Sequence, residues 1–252
     1  MTPTIHIENA ALAYNNQLVF AKLNLQLPAG KWIALLGPSG IGKSSLMRTI
    51  AGLISKEESF SGSIYAEPQL CLSKHIAYMA QTDLLLPWLS VLHNACLGEK
   101  LRSISRKTYA AKLLQTTELL KQVGLGDAMH AYPHQLSGGM RQRVALVRTL
   151  MENKPIVLMD EPFSALDAIT KHQLQDLAIE MLKNKTVLFI THDPAEALRL
   201  ADSIYVMHGH PATISHFATL TSPTPRRLHE PEFIRWQSEL YQTLLQAKGV
   251  AA

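Results

Sequence analysis

A chain of 252 residues with 47% hydrophobic side chains can bury a sizeable core, which excludes a disordered tail or a disulfide-stapled miniprotein. Its 24 lysines and arginines against 20 aspartates and glutamates leave a net charge of +4, too small an excess to argue for a nucleic-acid partner. The two cysteines, Cys71 and Cys96, lack metal-ligand spacing and disulfide density, so both are expected as small core residues in a reducing compartment.

The segment from Met1 to Asn9 alternates polar and apolar residues and lacks the layout of a secretory signal, so the protein is expected inside the cell. Ile5, Ile7, Leu23, Leu25 and Leu27 lie at period-two spacing, and Asn15-Asn16 offers a turn, which predicts an antiparallel edge layer. Trp32 to Leu36, Ile156 to Met159 and Val187 to Ile190 are continuously apolar, as expected of central parallel strands covered on both faces. A helix is expected from Lys43 to Ala51. Between about Pro87 and Leu150 the pattern is helical, notably over Tyr109 to Val123 and Met140 to Met151, and predicts an inserted helical lobe. Beyond Val206, Pro211, Pro223 and Pro225 punctuate a passage expected to be loop-rich, before helical spacing resumes over Phe233 to Ala247. Runs such as Leu84 to Leu86 fall far short of the about 20 apolar residues of a spanning helix, so membrane association is expected only through a partner.

Gly37-Pro38-Ser39-Gly40-Ile41-Gly42-Lys43-Ser44 fits G-x-x-x-x-G-K-[ST] between a buried strand and a helix, the context that distinguishes a phosphate loop from an ordinary glycine-rich turn. Its glycines let backbone N–H groups face phosphate oxygens, and the helix amino terminus adds partial positive charge. Lys43 is expected on the β/γ-phosphates of ATP, Ser44 on Mg²⁺, and Ser45 as a further phosphate contact. Asp160 and Glu161 end a buried strand, where adjacent side chains face different ways. Asp160 therefore suits the magnesium shell and Glu161 the attacking water. Both could be solvated strand-end acids; the phosphate loop favours the chemical reading. His192, in Thr191-His192-Asp193, follows another strand at the same presumed edge and could sense the γ-phosphate, although a lone histidine is more often a surface or core residue.

Leu136-Ser137-Gly138-Gly139-Met140-Arg141-Gln142-Arg143 resembles the signature motif of ATP-binding cassette proteins. Tyr14, Gln81, Ser164-Ala165-Leu166-Asp167 and His192 stand in that family's order, and the resemblance spans about Ile5 to Met207. It implies an α/β phosphate-loop fold with a parallel sheet, an antiparallel β layer and a helical lobe at about 87–150. The cassette would occupy 1–215, followed by a tail at 216–252 with a helix. By the same resemblance Tyr14 stacks on adenine, with nearby Phe20 as competitor, and Gln81 joins the Mg²⁺ and γ-phosphate shell. Asp167 links two active sites, and Ser137, Gly138 and Gly139 bind the γ-phosphate of a partner cassette in a head-to-tail dimer.

Without the coiled coils or second cassette of the repair and translation relatives, the chain resembles a transporter subunit at the cytoplasmic face of the cell membrane. The alternative is a soluble ATPase of the same type not coupled to transport. Leu-Leu-Pro-Trp-Leu-Ser-Val at 85–91 resembles the nitrate, sulfonate, taurine and pyrimidine-precursor importers, although His93-Asn94 stands where they commonly have Asp-Asn. That group implies membrane permease subunits and an extracytoplasmic solute-binding protein as partners, and no nucleic acid. In the family this region receives a short helix of the permease. Packing of Leu85 and Trp88 into the core is the competing expectation.

Overall fold

Alternating burial along Thr4–Tyr14 (β1) and Gln17–Leu27 (β2) produces an antiparallel hairpin whose inward side chains include Ile5, Ile7, Leu23, Leu25 and Leu27. Asn15 and Asn16, at φ 47° and 63°, supply the two positive φ values that a two-residue hairpin turn needs. The chain is seen in a computed structural model that describes residues 2–102 and 105–249. Met1, Ser103, Ile104 and the last three residues of the expected tail lie outside the described residues.

These residues form two units, the first made of residues 2–76, 155–161 and 182–249. In it, Glu58–Glu67 (β4) pairs with β1 to complete a three-stranded antiparallel sheet in the order β2-β1-β4. Trp32–Leu36 (β3) precedes the glycine loop and Lys43–Ile50 (α1) follows it, while Leu72–His75 (α2) is a single turn before the chain leaves the unit.

The second unit comprises Ala77–Lys154 and Pro162–Met181. The chain reaches it through Ile76–Met79 (β5). Val91–Ala95 (α3), Leu97–Leu101 (α4), Arg106–Gln122 (α5) and Gly138–Met151 (α6) follow, with 3-10 turns at Gly126–Ala128 and Pro133–Gln135. Ser105 and Ser137 start α5 and α6 by accepting hydrogen bonds from the backbone N–H groups of Thr108 and Met140. Back in the first unit the chain forms Ile156–Asp160 (β6); Ala168–Met181 (α7) belongs again to the second.

Thr186–Ile190 (β7), Pro194–Leu200 (α8), Ser203–His208 (β8), Thr213–Thr219 (β9) and Pro231–Ala247 (α9) complete the first unit. Its larger sheet runs β6-β7-β3-β8-β9, parallel throughout except for β9. Every residue of β3, β6 and β7 is buried, as their unbroken apolar sequences require. Their register brings Leu35, Ile190 and Asp160 level, so three polar segments start from one edge of the sheet.

One expectation is extended and one is corrected. The passage after Val206 is loop-rich as expected over residues 220–230, but it also holds an unforeseen strand: β9 pairs antiparallel to β8, with only Ala218 of its seven residues buried, so it lacks the apolar alternation that announces a strand. Cys71 is exposed at the start of α2, whereas Cys96 is buried as expected. Among the described residues no helix is long and apolar enough to cross a membrane.

Candidate functional site

The loop between β3 and α1 turns at Gly42, the helix N-cap, at φ 108°. A side chain there would be strained, and a Cβ would come within 2.6 Å of Val19 Cγ1. The first turn of α1 has no side-chain cap and no acidic residue, leaving its N–H groups available to an anion. Lys43 is buried, and its Nζ donates to the carbonyls of Gly37 and Pro38 at 2.9 and 2.8 Å. Burial pushes its ammonium pKa down, opposed by the carboxylates of Glu161 and Asp160.

Asp160 ends β6 and is 2% exposed. Burial pushes its carboxyl pKa up, against a hydrogen bond with the Ser44 side chain that lowers it; nearby Glu161 raises it and Lys43 lowers it. The Ser44 hydroxyl and the Asp160 carboxylate are hard oxygen donors brought together, a pair that fits Mg²⁺ with phosphate oxygens and water completing the shell. Among the described residues no cluster of three or more His, Cys, Asp or Glu could hold a metal alone.

Glu161 adopts φ 50°, a left-handed conformation unusual for a non-glycine residue and one that costs strain. Its N–H donates to the carbonyl of Ile190 at 3.0 Å, tying the end of β6 to the end of β7. The turn after β7 is fixed from both sides. Thr191 N–H donates to the carbonyl of Leu35 at 3.3 Å, and the Asp193 carboxylate caps α8 at Ala195 N–H, 2.9 Å away. His192 between them places Nδ1 3.4 Å from Glu161 Oε2, so two candidate residues 31 positions apart meet at the sheet edge. The ring stays 65% exposed, unlike a satisfied core histidine.

Tyr14 ends β1 and is 45% exposed, whereas Phe20 is fully buried, so only Tyr14 of the two offers a ring to a ligand. Its hydroxyl donates to Glu57 Oε2 at 3.2 Å. No motif or periodicity marks Glu57, nor Glu58 and Arg48 beside it.

In the second unit, exposed Ser137 and Gly138-Gly139 open α6. Gln142, one turn on, accepts from the Ala165 N–H at 2.8 Å and donates to Ser164 Oγ at 3.2 Å, which fastens the Ser164-Ala165-Leu166-Asp167 segment to the signature helix. Asp167 is exposed and accepts from Thr170 N–H at 3.0 Å, a helix-starting contact that holds its carboxyl below the usual range. Gln81 lies exposed in the loop after β5.

Downstream of Gln81 the apolar passage divides: Leu85 is buried, while Leu84 and Trp88 are 62% and 70% exposed. Fully buried Asn94 builds this loop, accepting from Leu86 N–H at 2.8 Å and donating to the carbonyls of Leu86, Leu89 and Ser90. His93 is exposed and touches Ser90 Oγ through Nδ1 at 2.8 Å. The structural half of the His93-Asn94 pair is therefore the asparagine.

A glycine loop capping a helix beside a buried strand, with an acid pair and a histidine at the same sheet edge, defines a phosphate-loop nucleotide hydrolase. A family model described as ABC transporter matches residues 20–164. An uncharacterised ABC transporter ATP-binding protein of Haemophilus influenzae is 43% identical, over 95% of this chain and 98% of its own length. The aliphatic sulfonates import ATP-binding protein SsuB 1 of Paracoccus denitrificans is 37% identical, over 99% of this chain and 96% of its own. Among solved structures, the dimeric post-hydrolysis ATP-binding cassette MJ0796 with ADP and Pi aligns at a TM-score of 0.74 and 28% identity, covering 87% of this chain and all of that one. The chain belongs to the ABC transporter family and is an ATPase of its ATP-binding cassette type.

Proposed function

We propose that this ATPase is the subunit that energises a membrane importer of a small solute, acting as a pair of cassettes bound peripherally to permease subunits at the cytoplasmic face of the membrane. The observation that carries the catalytic part is the convergence of the phosphate loop, Asp160, Glu161 and His192 on one strand edge. The loop N–H groups of residues 37–45 and Lys43 would hold the phosphates, Lys43 exchanging its two carbonyl partners for phosphate oxygens. Ser44 and Asp160 would hold Mg²⁺, which supplies charge neutralisation on the phosphates.

Glu161 would take a proton from a water as its oxygen attacks the γ-phosphorus and the bond to the β-phosphate oxygen breaks, giving ADP and phosphate. The contact with His192 supports a histidine that orients Glu161 and senses the γ-phosphate. Tyr14 would stack on the base. Ser137, Gly138, Gly139, Gln81 and Asp167 enter by resemblance: the signature helix as the γ-phosphate contact of the partner cassette, Gln81 in the metal shell, and Asp167 between the two sites.

Import is supported by the names of the sulfonate relatives and by the exposed Leu84 and Trp88, an apolar pair suited to a permease helix. An extracytoplasmic solute-binding protein would complete the complex. Affinity purification of the chain from gently solubilised membranes tests this reading. Recovery of a multi-spanning protein is expected, with a solute-binding protein identifying the cargo class. Recovery of soluble partners alone, with ATP hydrolysis intact, would leave an ATPase uncoupled from transport.

A further inference from the structure

We propose that Glu57, Glu58 and Arg48 are positioning residues for base recognition, which together fix the Tyr14 ring relative to the helix that follows the phosphate loop. The proposal rests on the reading of Tyr14 as the residue that stacks on the base. ATP is a ligand of defined length, gripped through phosphates at one end and base at the other. A protein that uses both grips must hold them at a set separation.

In this chain the phosphate grip starts α1 at Lys43, and the aromatic ends β1, a strand of a different sheet. Arg48 in the last turn of α1 donates through Nη2 to Glu58 Oε1 at 2.6 Å. The Glu58 side chain is only 6% accessible, and its other oxygen accepts from Ser55 N–H at 2.8 Å. This is a charge-assisted contact on a buried carboxylate, among the stronger bonds available to a side chain.

Glu58 is the first residue of β4 and stands opposite Tyr14 in the ladder. Its neighbour Glu57 accepts the Tyr14 hydroxyl at 3.2 Å, and the Glu57 carbonyl accepts from Asn15 N–H at 3.3 Å. Glu57 closes the turn before β4 and Glu58 opens the strand, and the two carboxylates part, Glu58 serving the helix and Glu57 the ring. The bridge runs from Lys43 along α1 to Arg48, across to Glu58, and through β4 and Glu57 to the phenol. A tyrosine is used where phenylalanine would stack as well, because its hydroxyl is the tethered atom.

The test compares the affinity of the full chain for ATP and for inorganic tripolyphosphate, which has no base. Tyr14→Phe and Glu57→Ala, both at exposed positions, should each weaken ATP binding about threefold to tenfold, the worth of one hydrogen bond, and leave tripolyphosphate unchanged. The double variant should lose no more than either single one. Arg48→Met should show the same selective loss, and Arg48→Lys, which keeps the cation, should recover part of it.

Unchanged ATP affinity in both Tyr14→Phe and Glu57→Ala, with a loss in Tyr14→Ala, would overturn the proposal and keep base stacking. No loss in Tyr14→Ala would remove base stacking itself. Equal losses for ATP and tripolyphosphate in Arg48→Met would also overturn the proposal, making the Arg48–Glu58 pair a support of the phosphate loop alone.

Discussion

Glu161 combines a left-handed backbone, a contact with His192 and a carboxylate beside the buried Asp160, features a merely solvated acid would not need. Replacing it by glutamine keeps the shape and removes the proposed base. Glu161→Gln should bind ATP as the wild type does while steady-state hydrolysis falls by about 10²–10⁴, the usual contribution of a general base. Undiminished turnover would return Glu161 to a structural role. Glu58 carries a pH dependence of its own. Hydrogen bonding from Ser55 N–H, helped by the Arg48 guanidinium, holds its carboxyl below the usual range. A depressed folded-state pKa means the unfolded chain takes up the proton first. The stabilisation is therefore complete above the ordinary glutamate range and lost as pH falls through it toward the lowered value. Glu58→Gln should cost about 1 kcal/mol at neutral pH in urea denaturation, and the gap to the wild type should close below that range. The phosphate loop, acid pair and signature were legible in the sequence because their chemistry needs contiguous residues. Arg48–Glu58 was not, because it joins residues ten apart on a helix and a strand whose meeting depends on the finished fold.

At the scale of elements, legibility followed burial. The three strands covered on both faces are unbroken apolar runs, and β3 ends where its sequence said, with β6 and β7 each one residue longer. The strands β4 and β9 bury almost nothing beyond Ala66 and Ala218, and so left no pattern to read. What holds β4 in register is a backbone feature. The β1–β4 ladder shifts register between Glu8 and Ala11, where Asn9 has φ 47°, and Gly62 faces that irregularity at φ 102°. A Cβ at Gly62 would lie 2.6 Å from the carbonyl oxygen of Asn9 and 2.7 Å from that of Glu8, backbone atoms that cannot rotate away. Gly62→Ala should therefore destabilise the chain by about 1–3 kcal/mol in chemical denaturation. A change within a few tenths would mean the bulge relaxes freely.

For the whole molecule, the residues expected to act on ATP fall in both units: phosphate loop, acid pair, histidine and tyrosine in the first, signature helix, Gln81 and Asp167 in the second. The second unit also presents Leu84 and Trp88, and their exposure follows from its construction rather than from loose packing. Asn94 satisfies four backbone groups of the loop from inside. Arg148 on α6 donates to the carbonyls of Asp83 and Leu84 at 2.6 and 2.9 Å, and Arg141 to the Asp83 carboxylate at 3.0 Å. A loop so held keeps Trp88 outside at the cost of leaving a large aromatic in water, a cost a partner surface would recover. The same arginines sit on the helix capped by Ser137, so the loop and the signature helix are joined by charge-assisted hydrogen bonds within one unit. Trp88→Asp should leave basal ATP hydrolysis by the purified chain within about twofold, as an exposed substitution outside the site. In membranes the same variant should no longer recover the multi-spanning partner. Full recovery of that partner would move the permease contact elsewhere, while loss of basal hydrolysis would mean that Trp88 shapes the ATPase itself.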